Sequence, residues 1–307
     1  MRRRELLMLL GAAMTAAHAL SAQQKAMPVI GFLGNGLPDP WAPLVDAFRQ
    51  GLSEAGYVEG QNVAVEYRWS ERRYDRLPAL AAELVARRVD VIVTAGGTPP
   101  TLAAKSATST IPIVFAGVDN PVGTGLVVGL SRPGGNVTGF SIFSLDLVSK
   151  RLELLSELIP HAGVIALLAD PNNQITERMI SDEQEAARAK GLQLGVLKAS
   201  SKGEIDAGFA SLGQRHADAL IVSGFFSLCE QIAELAAGYA IPTMYDWRTC
   251  VAAGGLVSYG ASLAAIHHQE VFTPERSSTA PSPPICRSSS RRNSNWSSIS
   301  RPPRPLG

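Results

Sequence analysis

The residues of this chain that are able to do chemistry gather in short clusters, each following a β-branched run. Gly34-Asn35-Gly36-Leu37-Pro38-Asp39-Pro40-Trp41 follows the first run, Thr94-Ala95-Gly96-Gly97-Thr98-Pro99-Pro100 the third and Ala116-Gly117-Val118-Asp119-Asn120-Pro121 the fourth. Farther along stand Asp170-Pro171-Asn172-Asn173, Ser223-Gly224-Phe225-Phe226 and Tyr245-Asp246-Trp247. Small residues let a bound molecule approach backbone N–H groups. Amide, hydroxyl and carboxylate side chains supply hydrogen bonds, and aromatic rings offer stacking faces. This is the chemistry of recognition rather than of bond making. Each cluster also has a structural reading: Gly96-Gly97 permits a tight turn, Trp41 caps the core under the first helix, and Phe225 packs at a strand end.

Motifs for catalysis are thin. Gly31, Gly34 and Gly36 have the wrong spacing for a dinucleotide loop, and Gly123-Thr124-Gly125 does not directly follow a strand. The chain has no phosphate-cradling loop ending in Gly-Lys-Ser or Gly-Lys-Thr and no G-x-S-x-G elbow. The adjacent histidines of His267-His268-Gln269-Glu270 would point to different faces, which argues against a metal site. Asp119 and Asp170 suggest a carboxylate pair across a cleft, but no nucleophile or base accompanies them. An Asp at a strand end serves more simply as an N-cap or a hydrogen-bond acceptor. No catalytic residue, metal or cofactor is expected, and the chain reads as a binding protein rather than an enzyme.

The elements that must position these clusters alternate between strands and amphipathic helices, the pattern of parallel sheets joined by crossover helices. One series of strands is predicted at Val29–Leu33, Val63–Arg68, Val89–Thr94, Ile113–Ala116 and Val137–Phe140. A second is predicted at Val164–Ala169, Gln193–Lys198, Ala219–Ser223, Pro242–Tyr245 and Leu256–Tyr259. Between strands, Leu44, Val45, Phe48 and Leu52 share one helical face, as do Leu77, Leu80, Leu84 and Val85. A long helix is predicted from about Asp146 to Pro160. The reading is an α/β protein of two Rossmann-like lobes, residues 28–138 and 139–260, with a crossover near Gly139 and a return helix starting at 261–270.

Composition sets the outer limits. With 46% hydrophobic and 18% charged residues the chain is ordinary for a globular protein, and a net charge of +1 suggests no nucleic-acid-binding face. Arg2-Arg3-Arg4-Glu5, an apolar run and small residues through Ala22 have the order of a secretory signal, expected at residues 1–22. Arg3-Arg4-Glu5-Leu6-Leu7 also fits a twin-arginine signal, and the two export routes stay open. No Cys near the cleavage region indicates a lipid anchor. Cys229, Cys250 and Cys286 form no spaced cluster, so Cys229 and Cys250 are expected to be buried free thiols rather than a pair. Residues 271–307, rich in Ser, Pro and Arg, read as a disordered tail. A frameshift near residue 270 is the sharper reading, because shifted codons for this segment can spell Ala-Lys-Pro-Ala-Asp and the strand-like Lys-Phe-Glu-Leu-Val-Ile-Asn-Leu.

Longer runs carry a resemblance. Gly51-Leu52-x-Glu54-x-Gly56-Tyr57-Val58-Glu59-Gly60-Gln61-Asn62-Val63, Ile111-Pro112-Ile113-Val114-Phe115, Asp119-Asn120-Pro121-Val122-Gly123-x-Gly125-Leu126-Val127 and Leu130-Ser131-Arg132-Pro133-Gly134-Gly135-Asn136-Val137-Thr138-Gly139 resemble ABC transporter substrate-binding proteins of the tryptophan/tyrosine-importer type. The likeness covers residues 1 to about 269 and fails in the tail, where the family's usual ending matches the shifted reading. It implies the type I periplasmic-binding-protein fold, with a small organic solute held between the lobes by hinge closure. It further implies a monomeric periplasmic protein that hands its solute to an ABC permease in the inner membrane. A periplasmic sensor module for a receptor is the alternative, and a small-molecule α/β enzyme a more distant one. The expected ligand-binding residues are Asn35, Trp41, Thr94, Gly97, Thr98 and Asp119 in the first lobe, with Ser141, Ser223, Phe225 and Asp246 in the second.

Overall fold

A computed structural model describes residues 27–142, 147–173 and 175–270 and the two-residue strand Arg287–Ser288. The first sheet holds β1 (Val29–Gly34), β2 (Ala64–Trp69), β3 (Val91–Ala95), β4 (Ile113–Asp119) and β5 (Val137–Ile142). Its order is β5-β4-β3-β1-β2, with Arg287–Ser288 on the outer edge of β5, and every pairing is parallel. The second sheet holds β6 (Val164–Ala169), β7 (Gln193–Lys198), β8 (Ala219–Ser223), β9 (Thr243–Tyr245) and β10 (Val257–Ser258), in the order β10-β9-β8-β6-β7 and again all parallel. Central strands such as β3 and β8 are buried at every residue, whereas the edge strand β2 is half-buried throughout. Continuous apolar runs with helices on both faces have only this solution.

Helices α1 (Pro38–Glu54), α2 (Leu77–Ala86) and α3 (Thr98–Ala107) cover the first sheet. The predicted faces are the ones buried: Leu44, Val45, Phe48 and Leu52 of α1 pack with Ile30 and Phe32 of β1, while Leu77, Leu80 and Leu84 of α2 pack on the other side with Ile92 and Phe115. Helices α4 (Val148–Leu158), α5 (Thr176–Ala189), α6 (Lys202–Arg215), α7 (Cys229–Gly238) and α8 (Arg248–Ala252) surround the second sheet. The chain then returns through α9 (Leu263–Gln269), capped by the Ser262 hydroxyl, which accepts from the Ala265 N–H at 3.3 Å. That helix packs against α1, so the two lobes are tied by the return as well as by the outward crossover.

Two expectations change. The crossover does not fall near Gly139: β5 stays paired with β4 through Ile142, and Gly139 lies tight against β4, since a Cβ there would lie 2.1 Å from the Phe115 carbonyl oxygen. Cys229 and Cys250 are joined by a disulfide rather than free. They open α7 and sit in α8, the helices that follow the adjacent strands β8 and β9, and strand adjacency brings their Cα atoms to 4.6 Å. The expected signal at 1–22, and the expected tail at 271–307 apart from its short strand, lie outside the described residues. Among those described, no helix is long and apolar enough to cross a membrane.

Candidate functional site

In an open parallel sheet the crevice forms beyond the carboxyl ends of the strands where the winding reverses, because the crossover helices there lie on opposite faces. The strand orders place that point between β1 and β3 in the first sheet and between β6 and β8 in the second. The two points face one another across a cavity of about 120 Å³ lined from both lobes.

The first lobe contributes backbone and short polar groups. Asn35, after β1, donates from its amide Nδ2 to the Gly96 carbonyl at 2.7 Å, which locks the β1 and β3 loops together. Gly96 has φ +99, and a Cβ there would sit 2.2 Å from the Asn35 Oδ1, so glycine is required on both counts. Gly97 and Thr98 open α3 on the cavity wall. A bulge between Ala116 and Val118, with Gly117 at φ +71, breaks the β4 register and sets Asp119 at the rim.

Trp41 unites both of its readings. It is buried in the α1 core and lines the cavity, packs edge-on against Trp69 and against His267, each at 6.0 Å, and donates from Nε1 to the Ser227 hydroxyl of the second lobe at 3.0 Å. His267 makes a 2.8 Å hydrogen bond through Nδ1 to the Glu270 carboxyl. Burial pulls the imidazole down to about 4, so it is neutral near pH 7, and pushes the Glu270 carboxyl well above its usual range. Among the described residues no group of side chains is suited to hold a metal ion.

The second lobe supplies charge. Asp170, at the end of β6, accepts from the Asn172 N–H at 2.9 Å and from the Arg72 guanidinium of the first lobe at 3.2 Å. Asp246, after β9, accepts from the Ser223 hydroxyl at 3.2 Å and pairs with Arg151 of α4 at 3.1 Å. Burial pushes the Asp246 carboxyl up, while Arg151, Ser223 and the Gly224 N–H pull it back. Glu183 of α5 lies in the same buried cluster with no hydrogen-bond partner on either oxygen. Burial first, and the nearby Asp246 charge second, raise it to about 8 against the opposing Arg151.

Of the sequence-predicted residues, Asn35, Trp41, Gly97, Thr98, Asp119, Ser223 and Asp246 come together on the cavity wall. Thr94, Ser141 and Phe225 do not. Thr94 shares a buried 2.8 Å hydrogen bond with the Thr101 hydroxyl under α3. Ser141 is on β5 in the first sheet, not in the second lobe, and donates to the Val118 carbonyl at 2.9 Å. Phe225 packs in the core of the second lobe. Side chains alternate across a strand, and a residue at a strand end faces a helix as readily as the crevice. Sequence reasoning passed over Arg72, Tyr74, Thr176, Met179 and Leu263 and weighed His267 only as a metal ligand, yet all six line the cavity. The position of Arg72 just past β2 was the available signal; α9 reaches the cavity only through the return of the chain.

Comparison with known proteins places this geometry in context. Residues 39–269 match the family model described as "ABC transporter substrate binding protein". A tyrosine-binding protein of Clostridioides difficile is 32% identical over 169 residues, covering 54% of this chain and 47% of the relative. The chain thus spans about half the length of that relative. Among solved structures, a conserved domain protein of Vibrio cholerae is 25% identical with a TM-score of 0.72, over 80% of this chain and 82% of the other. An ABC domain from Streptococcus pneumoniae in complex with L-Trp is 22% identical with a TM-score of 0.74, over 86% of this chain and 89% of the other.

Proposed function

From the premise that this chain belongs to the family of ABC transporter substrate-binding proteins, we propose that it captures an amino acid or a similar aromatic solute in the cleft by closing its two lobes. It then presents the closed form to an inner-membrane ABC permease. The observation that carries this reading is the cavity wall itself. Polar groups from the switch points of both sheets converge there with Trp41, Tyr74 and Trp247, so one solute touches both lobes at once.

Asn35, Gly97, Thr98 and Asp119 offer hydrogen-bonding partners from one side, and Ser223 and Asp246 from the other. The aromatic rings and Met179 favour a flat, apolar side chain between them. Contact with both lobes gives the solute a higher affinity for the shut form, and that difference shifts the hinge equilibrium. No step of this scheme needs a bond to break. The tyrosine named for the clostridial relative and the L-Trp of the streptococcal complex support the same solute class. The protein acts as a monomer in the periplasm, after export by the signal read at residues 1–22.

The test is a thermal-shift screen of the chain against aromatic and branched amino acids, nucleobases and small aromatic acids. A solute at 100 times its dissociation constant adds about 2.7 kcal/mol of stability. A shift with aromatic amino acids supports the reading. A well-folded protein that shifts with none of the set overturns it.

A further inference from the structure

We propose that Arg72 is the residue that anchors the carboxylate of the bound solute, with Asp170 as its positioning partner. The proposal rests on the amino-acid reading of the cleft and adds a residue that neither the clusters of the sequence nor the comparisons assign. Arg72 stands just beyond β2, where Glu71 and Arg72 both take left-handed backbone conformations, φ +56 and +65. Two consecutive non-glycine residues there cost free energy that the surroundings must offset, and such positions cluster at ligand clamps. The strain is held by the Arg72 N–H donating to the Asn35 carbonyl at 2.7 Å, so the Arg72 backbone is pinned to the first cleft loop.

From that backbone the side chain crosses to the other lobe. Its Nη2 donates to Asp170 Oδ2 at 3.2 Å and to the Ser200 carbonyl at 3.1 Å, and its guanidinium carbon lies 5.8 Å from the centre of the Phe225 ring. These contacts occupy one nitrogen and one face. Nε and Nη1 have no acceptor among the described residues; they lie on either side of Cδ and form no bidentate edge, but each is a charge-bearing N–H donor for a single carboxylate oxygen. Arg72 is the one cationic side chain among the described residues of the cavity wall, since His267 is held neutral. The same wall carries Asp119, Asp170 and Asp246, so an anionic group has a single place to go.

The experiment compares acids with their amides by calorimetry: L-tryptophan with L-tryptophanamide, L-tyrosine with L-tyrosinamide, and benzoate with benzamide. Wild-type protein is expected to prefer at least one acid over its amide by tenfold or more, the worth of a charge-assisted hydrogen bond. Arg72→Gln is expected to weaken the acid by tenfold or more and leave the amide nearly unchanged, so the preference collapses, while Arg72→Lys retains part of it. If Arg72 only holds the lobes together, Arg72→Gln changes acid and amide by the same factor and the preference survives, which overturns the assignment. Wild-type protein that binds no compound of the set sinks the solute reading and this assignment with it; binding with an undiminished acid preference in Arg72→Gln sinks this assignment alone. Should Arg72→Gln fold poorly by thermal melting, Asp170→Asn serves instead, since it loosens Arg72 without removing it. An intermediate loss of acid preference there supports the proposal, and an unchanged preference overturns it.

Discussion

At the scale of single residues the cleft depends on a few groups whose neighbours leave them no freedom. Asp119 reaches the rim because the Gly117 bulge breaks the β4 register, which sets its carboxyl group on the first-lobe wall. Asp119→Asn keeps the shape and removes the acid; calorimetry should show about a tenfold loss of affinity for an amino acid with an ammonium group. Gly96 is constrained by geometry instead of charge. Gly96→Ala would place a methyl 2.2 Å from the Asn35 side chain at a φ of +99. It should destabilise the protein by about 1–3 kcal/mol in a denaturant titration and weaken ligand binding as Asn35 is displaced. Both residues lie in clusters the sequence marks, because small and acidic residues at strand ends can serve a crevice as well as a turn or a cap. Arg72 does not, because nothing local distinguishes it from the neighbouring Arg73, whose guanidinium pairs with Asp75 on the surface.

At the scale of elements, the second lobe carries a buried charge cluster between α4, α5 and the end of β9. Glu183 has a folded pKa of about 8 against an ordinary 4.5. Below about 4.5 it is protonated whether the chain is folded or not. Above that the unfolded chain gives up the proton while the folded one keeps it, so this group costs stability progressively as pH climbs to about 8, on the order of 4 kcal/mol at the top of the window. Melting curves across pH 4.5 to 8 should therefore show Glu183→Gln gaining on the wild type as pH rises and matching it near the bottom. The disulfide between α7 and α8 closes a loop with a sequence separation of 21 residues. By loop entropy its reduction should cost about 3 kcal/mol, visible as a lower melting temperature in the presence of reductant. The helices themselves were legible, since Leu44, Val45, Phe48 and Leu52 repeat at the helical period and are the buried face of α1. The disulfide was not, because its partners meet only through the parallel pairing of β8 with β9.

At the scale of the whole molecule, two cross-lobe contacts flank the cavity: Trp41 with Ser227, and Arg72 with Asp170. They hold the lobes against each other over a cleft that the solute must enter. Small-angle scattering should report a smaller radius of gyration with saturating aromatic amino acid than without, and Ser227→Ala should raise the unliganded value by releasing Trp41 Nε1. No ligand-dependent change in radius would argue against closure. The sequence alone determined the two-lobed α/β architecture, because alternating β-branched runs and amphipathic faces can be buried only as parallel sheets between helices. It also pointed to most of the polar cluster at the cleft, because strand ends are where such sheets expose backbone and short side chains. The tertiary structure decided which residues actually face the cavity. It sent Thr94, Ser141 and Phe225 into packing, brought α9 back to seat Leu263 and His267, and set the Arg72 side chain across the cleft against the second lobe. The physical reason is that side-chain direction at a strand end, and contact between lobes, arise from three-dimensional register and chain return, for which short-range spacing holds no record.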